Sequence, residues 1–92
     1  MTDRFVGTWP DPVMAGGSLY PVYSNPARAG QTITIKIVDT GNGRVVDVPM
    51  TLDANGNGSV AWAVPLDWGV FATLEGPDSI DHLIAVEPVP PV

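Results

Sequence analysis

Ninety-two residues, 45% of them apolar and 15% charged, suffice for one domain with its own core and exclude a disordered chain. Ten acids against four bases leave a net charge of −6, which excludes a nucleic-acid-binding role built on clustered Lys and Arg. No cysteine is present to form a disulfide, and no apolar run approaches the ~20 residues of a membrane span.

Ten Gly and ten Pro cut the chain into short pieces, and no segment places apolar residues at helical spacing. Several segments alternate with period two instead, which predicts an all-β fold. Residues 1–25 read as an irregular N-terminal arm. It holds two short strands, Arg4 to Trp9 and Leu19 to Tyr23, separated by Pro10-Asp11-Pro12 and Ala15-Gly16-Gly17-Ser18. The clearest strand is Gln31 to Val38, where Ile33, Ile35 and Ile37 point one way and Thr34 and Lys36 the other. Its β-branched residues suit a pleated, half-buried surface. Asp39 to Gly43 then forms a turn from residues that tolerate positive φ.

Arg44 to Leu52 sets Val46, Val48, Met50 and Leu52 on one face and Val45, Asp47, Pro49 and Thr51 on the other. Pro49 has no N–H to give a ladder, so this strand belongs at a sheet edge or carries a bulge. Asp53 to Gly58 turns the chain, and Ser59 to Val64 returns with Val60, Trp62 and Val64 inward. After the turn Pro65 to Gly69 comes Val70 to Glu75, with Val70, Ala72 and Leu74 toward the core. The loop Gly76 to Ser79 leads to a last strand, His82 to Glu87, and an extended Pro-rich tail, Pro88 to Val92. The result is a single domain over 1–92 with about seven strands, and turns at roughly the 8–12-residue spacing of a sandwich or barrel.

Few residues are equipped for catalysis. His82 is the only histidine, and with no cysteine there is no evident nucleophile–base pair, so the chain reads as non-enzymatic. Glu75, Asp78 and Asp81 are close in sequence but fall in a loop that reads as a solvated turn. Asp53, Asn55 and Asn57, followed by Gly58, begin like a calcium loop, but Val64 stands where the bidentate Glu is required. A hairpin turn is expected there, with no metal and no cofactor. Asn57-Gly58-Ser59 also spells a glycosylation acceptor, which matters only in a eukaryotic secretory route.

The aromatics are the candidates for binding. Trp62 alternates with Val60 and Val64 and belongs to the core. Trp68, beside Pro65, either caps the core or, if exposed, anchors a partner. Trp9, Tyr20 and Tyr23 lie among Gly and Pro, where they form either a contact surface or a cover for an open sheet edge. The candidate partner-binding residues are therefore Trp9, Tyr20, Tyr23 and Trp68.

Over residues 26–76, three features resemble bacterial and phage immunoglobulin-like domains. They are the Pro26 to Gly30 lead into the isoleucine strand, the Asp53-x-x-Gly56-x-Gly58 turn, and the Pro65 to Trp68 loop entering the next strand. The resemblance covers a little over half the chain. It implies an immunoglobulin-like β-sandwich without a disulfide, serving as a structural or binding protein. The chain departs from the antibody branch in lacking the inter-sheet cysteine pair and the tyrosine of the penultimate strand.

The resemblance implies first a virion-surface protein, a phage head-decoration protein assembled in the host cytoplasm. It would dock its aromatic arm on the major capsid protein, or on copies of itself as a homo-oligomer. A start at Met1 without a leader, and a tail suited to lying along another protein, fit that expectation. The alternative is a carbohydrate-binding or adhesive module of a larger secreted bacterial protein, extracellular or at the cell surface, with the tail as linker. A third reading is a scaffold domain that adds a strand at an exposed edge. In each the partner is neither nucleic acid nor membrane.

Overall fold

The computed structural model describes residues 2–88. Most of the expected tail, Val89 to Val92, lies outside the described residues. The fold is all-β and sandwich-like, with two sheets and, among the described residues, no α-helix. One sheet runs β1 (Phe5–Trp9), β3 (Ser18–Ser24), β6 (Asn57–Ser59), with β7 (Trp62–Ala63) also paired to β3. The other runs β2 (Val13–Met14), β9 (His82–Glu87), β8 (Phe71–Glu75), β4 (Thr32–Asp39), β5 (Arg44–Thr51). Every pair is antiparallel except β2 with β9, where Val13 faces Val86.

The alternation on β4 holds as read. Ile33, Ile35 and Ile37 are buried, and each full burial of such a side chain is worth about 1.5–3 kcal/mol. β5 pairs with it without interruption from Thr32–Thr51 to Asp39–Arg44. The strand carrying Pro49 is thus an edge and is not bulged. Between the sheets, Phe5, Leu19, Tyr23 and Trp62 from one meet Val13, Met50, Ala72, Leu74, Ile84 and Val86 from the other.

Four expectations change. First, residues 1–25 are no separate arm: Phe5, Val13, Ala15, Leu19 and Tyr23 are core residues, and the chain crosses from β1 to β2 through Pro10-Asp11-Pro12. Second, the expected strand Ser59 to Val64 is split into β6 and β7, which share one register on β3. In that register Val60 falls opposite Pro21, whose missing N–H interrupts the ladder. Third, Asp53 to Gly56 is a tight turn but not a hairpin within one sheet, because β6 pairs with β3 and not with β5. Fourth, Val70 is exposed just ahead of β8, while Ala72 and Leu74 are buried.

The strands begin and end at two opposite poles of a body measuring 46 × 20 × 18 Å. One pole gathers the start of β1, the 3₁₀ turn Pro26–Arg28, the turn at Asp53 and the β8–β9 loop. The other gathers Trp9, the turn at Gly16, the β4–β5 turn and the β7–β8 loop.

Candidate functional site

The second pole is organised around a buried carboxylate. Core parity on β4 continues past Ile33, Ile35 and Ile37 to Asp39, which is fully buried. A carboxylate there must be surrounded by donors, and it is. Its Oδ1 accepts from the backbone N–H of Gly41 at 3.2 Å and of Asn42 at 3.3 Å. Its Oδ2 accepts from Asn42 Nδ2, Arg44 Nη2 and the N–H of Gly69 at 3.0, 3.0 and 3.2 Å. Burial alone would push this carboxyl up; donors from Asn42, Gly69 and Arg44 outweigh it and hold it at about 2. Gly69 is required because a Cβ there would stand 2.6 Å from Asp39 Oδ1.

Arg44 carries the lock outward. Its Nη1 and Nη2 donate to Oδ1 and the carbonyl of Asp67 at 3.1 and 2.9 Å, and its guanidinium lies 5.0 Å over the Trp68 ring. Trp68 meets Trp62 edge-on at 4.9 Å and donates its Nε1–H to the Phe71 carbonyl at 3.2 Å. The β7–β8 loop is therefore pinned to the β4–β5 turn from inside.

On that fixed base, apolar side chains face outward. Trp9 is 70% exposed and Tyr20 42%. These two are register partners across β1 and β3, so both project from the outer face of the first sheet, with ring centroids 6.4 Å apart and planes at 43°. Toward the same pole Met14, Val45, Leu66, Val70 and Phe71 are exposed as well. Leu66 lies over the turn at Gly16, where an added Cβ would come within 2.7 Å of its Cδ2. Seven of the ten large hydrophobics exposed among the described residues thus lie toward one pole, Trp9 and Tyr20 on the outer face of the first sheet and Val45 and Phe71 on that of the second, and such exposed apolar side chains can lose water against a partner.

Of the four candidate aromatics, the structure brings only Trp9 and Tyr20 together at the surface. Tyr23 is fully buried, because it stands three residues after Tyr20 and so faces the opposite side of β3. It packs edge-on to Phe5 at 5.5 Å, and its hydroxyl donates to the Pro77 carbonyl at 2.5 Å. Trp68, 5% exposed, caps the core under Arg44. Both are corrections to the expected contact set.

The other candidates have local partners. His82 Nδ1 lies 2.6 Å from Asp3 Oδ2. The Asp53 carboxylate accepts the N–H groups of Asn55 and Asn57 at 2.8 and 3.0 Å and so shapes its own turn. Gly56 there has φ +83° and no room for a side chain against the Asn25 carbonyl. Asp78 is held below the usual carboxylate range by Arg28, whose Nε lies 2.6 Å away. Among the described residues no three His, Cys, Asp or Glu side chains are grouped to hold a metal, and no helix is long and apolar enough to cross a membrane.

Sequence reasoning missed Asp39 and the loop apolars. The signal for Asp39 was present in the unbroken period-two parity from Ile33. The chain matches no protein-family model, no curated protein and no solved structure.

Proposed function

We propose that this chain is a non-catalytic, immunoglobulin-like docking domain of a virion surface, a phage head-decoration protein that seats its aromatic pole on the capsid protein. The strand grouping supports the immunoglobulin-like part of the reading. With β1, β3 and β6/β7 taken as strands A, B and E, and β4, β5, β8 and β9 as C, C′, F and G, the two sheets group as in that fold. The observation that carries docking is the gathering of exposed Trp9, Tyr20, Met14, Val45, Leu66, Val70 and Phe71 at one pole. A solvent-facing tryptophan beside a tyrosine is the composition of a binding hot spot. The acids at that pole, Asp11, Asp67 and Glu87, favour a partner with a basic rim.

The test is a count of this chain in purified virus particles from the source culture by mass spectrometry. Copies on the order of hundreds per particle, as repeated capsid symmetry requires, are expected. Absence from particles, with the chain found in the medium or on cells, would sink the virion reading.

The exposed Trp9–Tyr20 pair also favours a second reading, a carbohydrate-binding or adhesive module whose rings stack on sugars. Their 43° inclination makes two separate stacking faces rather than one flat platform. Glycan-array binding that disappears in Trp9→Ala would establish this reading, and a blank array would remove it.

A further inference from the structure

At the opposite pole, the hydrogen bonds of β4 leave a vacancy. The Gln31 carbonyl accepts from Leu52 N–H at 2.8 Å, so odd-numbered residues of β4 turn their backbone groups toward β5. Thr32, Thr34, Lys36 and Val38 turn theirs toward β8. β8, however, pairs only from Ala72 at Asp39 to Glu75 at Lys36. Beyond Glu75 the chain leaves the sheet. Gly76 dips inward until an added Cβ would lie 3.1 Å from Phe5 Cζ and 3.3 Å from Ile35 Cδ1. Pro77, which continued pairing would set across from Thr34, has no N–H, and its carbonyl accepts from Tyr23. The N–H and C=O groups of Thr32 and Thr34 therefore have no backbone partner among the described residues.

The vacated lane is an open groove of about 480 Å³, lined by Arg28, Thr32, Thr34, Lys36, Glu75 and Pro77. That volume falls within the range of small-ligand pockets. Its wall offers the alternating donors and acceptors of a strand edge, which only an extended backbone can satisfy in full. Two of the chain's four bases, Arg28 and Lys36, border it on an otherwise acidic protein. Arg28 uses Nε on Asp78 and Nη1 on Gln31, while Nη2 has no partner among the described residues. A strand laid antiparallel to β4, continuing the direction of β8, would run its C-terminus toward Thr32 and Arg28.

We propose that this lane receives the extended C-terminal segment of a partner protein, its backbone paired to Thr32 and Thr34 and its terminal carboxylate held by Arg28. The site lies at the pole away from Trp9 and stands independently of docking there.

Three probes test it on 15N-labelled full-length protein: acetyl-Thr-Val-Thr-Val as the free acid, the same peptide as its C-terminal amide, and the free acid N-methylated at alternate residues. In the free protein, the Thr32 and Thr34 amides are expected to exchange with solvent at least about tenfold faster than those of Ile33 and Ile35. The free acid slows them and shifts their resonances. The amide binds about tenfold more weakly through loss of the charge-assisted contact, and the N-methylated peptide leaves them unshifted. Thr34→Pro removes an N–H that points only into the lane, so it is expected to fold and not to bind; if it misfolds, the peptide comparison still decides. Protection of Thr32 and Thr34 in the free protein, no response to the free acid, or equal binding of all three peptides would overturn the proposal.

Discussion

The two poles of the sandwich both hold a buried polar residue, Asn25 at one and Asp39 at the other, and differ in what surrounds it. At the pole holding Asn25 and Asp78, a polar network runs from the buried Tyr23 and Asn25 out to the solvent-facing Arg28–Asp78 pair and ties the sheets together. Tyr23 donates to Pro77, Asn25 Nδ2 reaches Tyr23 and Asp78, Arg28 holds Asp78, and Thr2 bridges to Ser79. At the other pole the polar lock is hidden, with Asp39 fully buried, and the apolar side chains are the ones in water. The side chains of that network are bonded to one another, which leaves the backbone groups of Thr32 and Thr34 at that pole for a partner. A loop pinned from beneath can hold Leu66 and Val70 outward in fixed positions, and that preorganisation lowers the entropy cost of binding.

The sharpest way to break the contrast is Asp39→Ala. It leaves Arg44 without its buried partner and should cost about 3 kcal/mol, read as a lower urea midpoint. A change under about 1 kcal/mol would mean the lock is not structural. Acid tests the same group without mutation. The Asp39 carboxyl is held at about 2, below its ordinary 3.8, so its stabilisation is complete above pH 3.8 and is lost as pH falls through about 2. Trp68 fluorescence is expected to respond in that window, and Asp39→Ala to abolish the response.

At the opposite pole Tyr23→Phe keeps the ring and removes the hydroxyl shared by Pro77 and Asn25. It should cost about 1–2 kcal/mol and speed amide exchange in the loop between Gly76 and Asp81. Exchange that accelerates at the β7–β8 loop instead would dissolve the separation between the poles. Trp9→Ala combined with Tyr20→Ala should move stability by no more than about 0.5 kcal/mol while removing partner binding. Full retention of particle binding by that double variant would assign the contact elsewhere. Smallest of all, Lys36→Ala breaks an exposed pair with Asp47 at 3.2 Å and should leave the urea midpoint unmoved.

Period-two parity made much of the second sheet legible. The inward isoleucines of β4, the inward set on β5 and the edge position marked by Pro49 all follow from which residues stand two apart. The same rule, carried further, separates Tyr20 from Tyr23 and puts Asp39 on the core face; grouping the aromatics by neighbourhood in sequence concealed this. What parity cannot supply is pairing between distant segments. The two-residue strand β2 exists because Val13 and Met14 meet Val86 and Glu87, more than seventy residues away. The break between β6 and β7 depends on Pro21 standing opposite Val60, a fact of register and not of local composition. The exposure of Met14 toward the same pole as Leu66, Val70 and Phe71 was illegible for the same reason, since β2 and the β7–β8 segment meet only in the folded chain.

The parallel pairing of β2 with β9 has a mechanical consequence. Thr2 lies at one pole and Pro88 at the other, so tension applied between them runs along the 46 Å axis and parallel to the strands. The Val13–Val86 pairing and the β1–β3 ladder would then be loaded in shear, with their hydrogen bonds perpendicular to the pull and forced to rupture together instead of unzipping singly. Under such a load the lifetime of the fold is set by its unfolding rate rather than its equilibrium stability, and a short parallel clamp would decide how long the molecule holds.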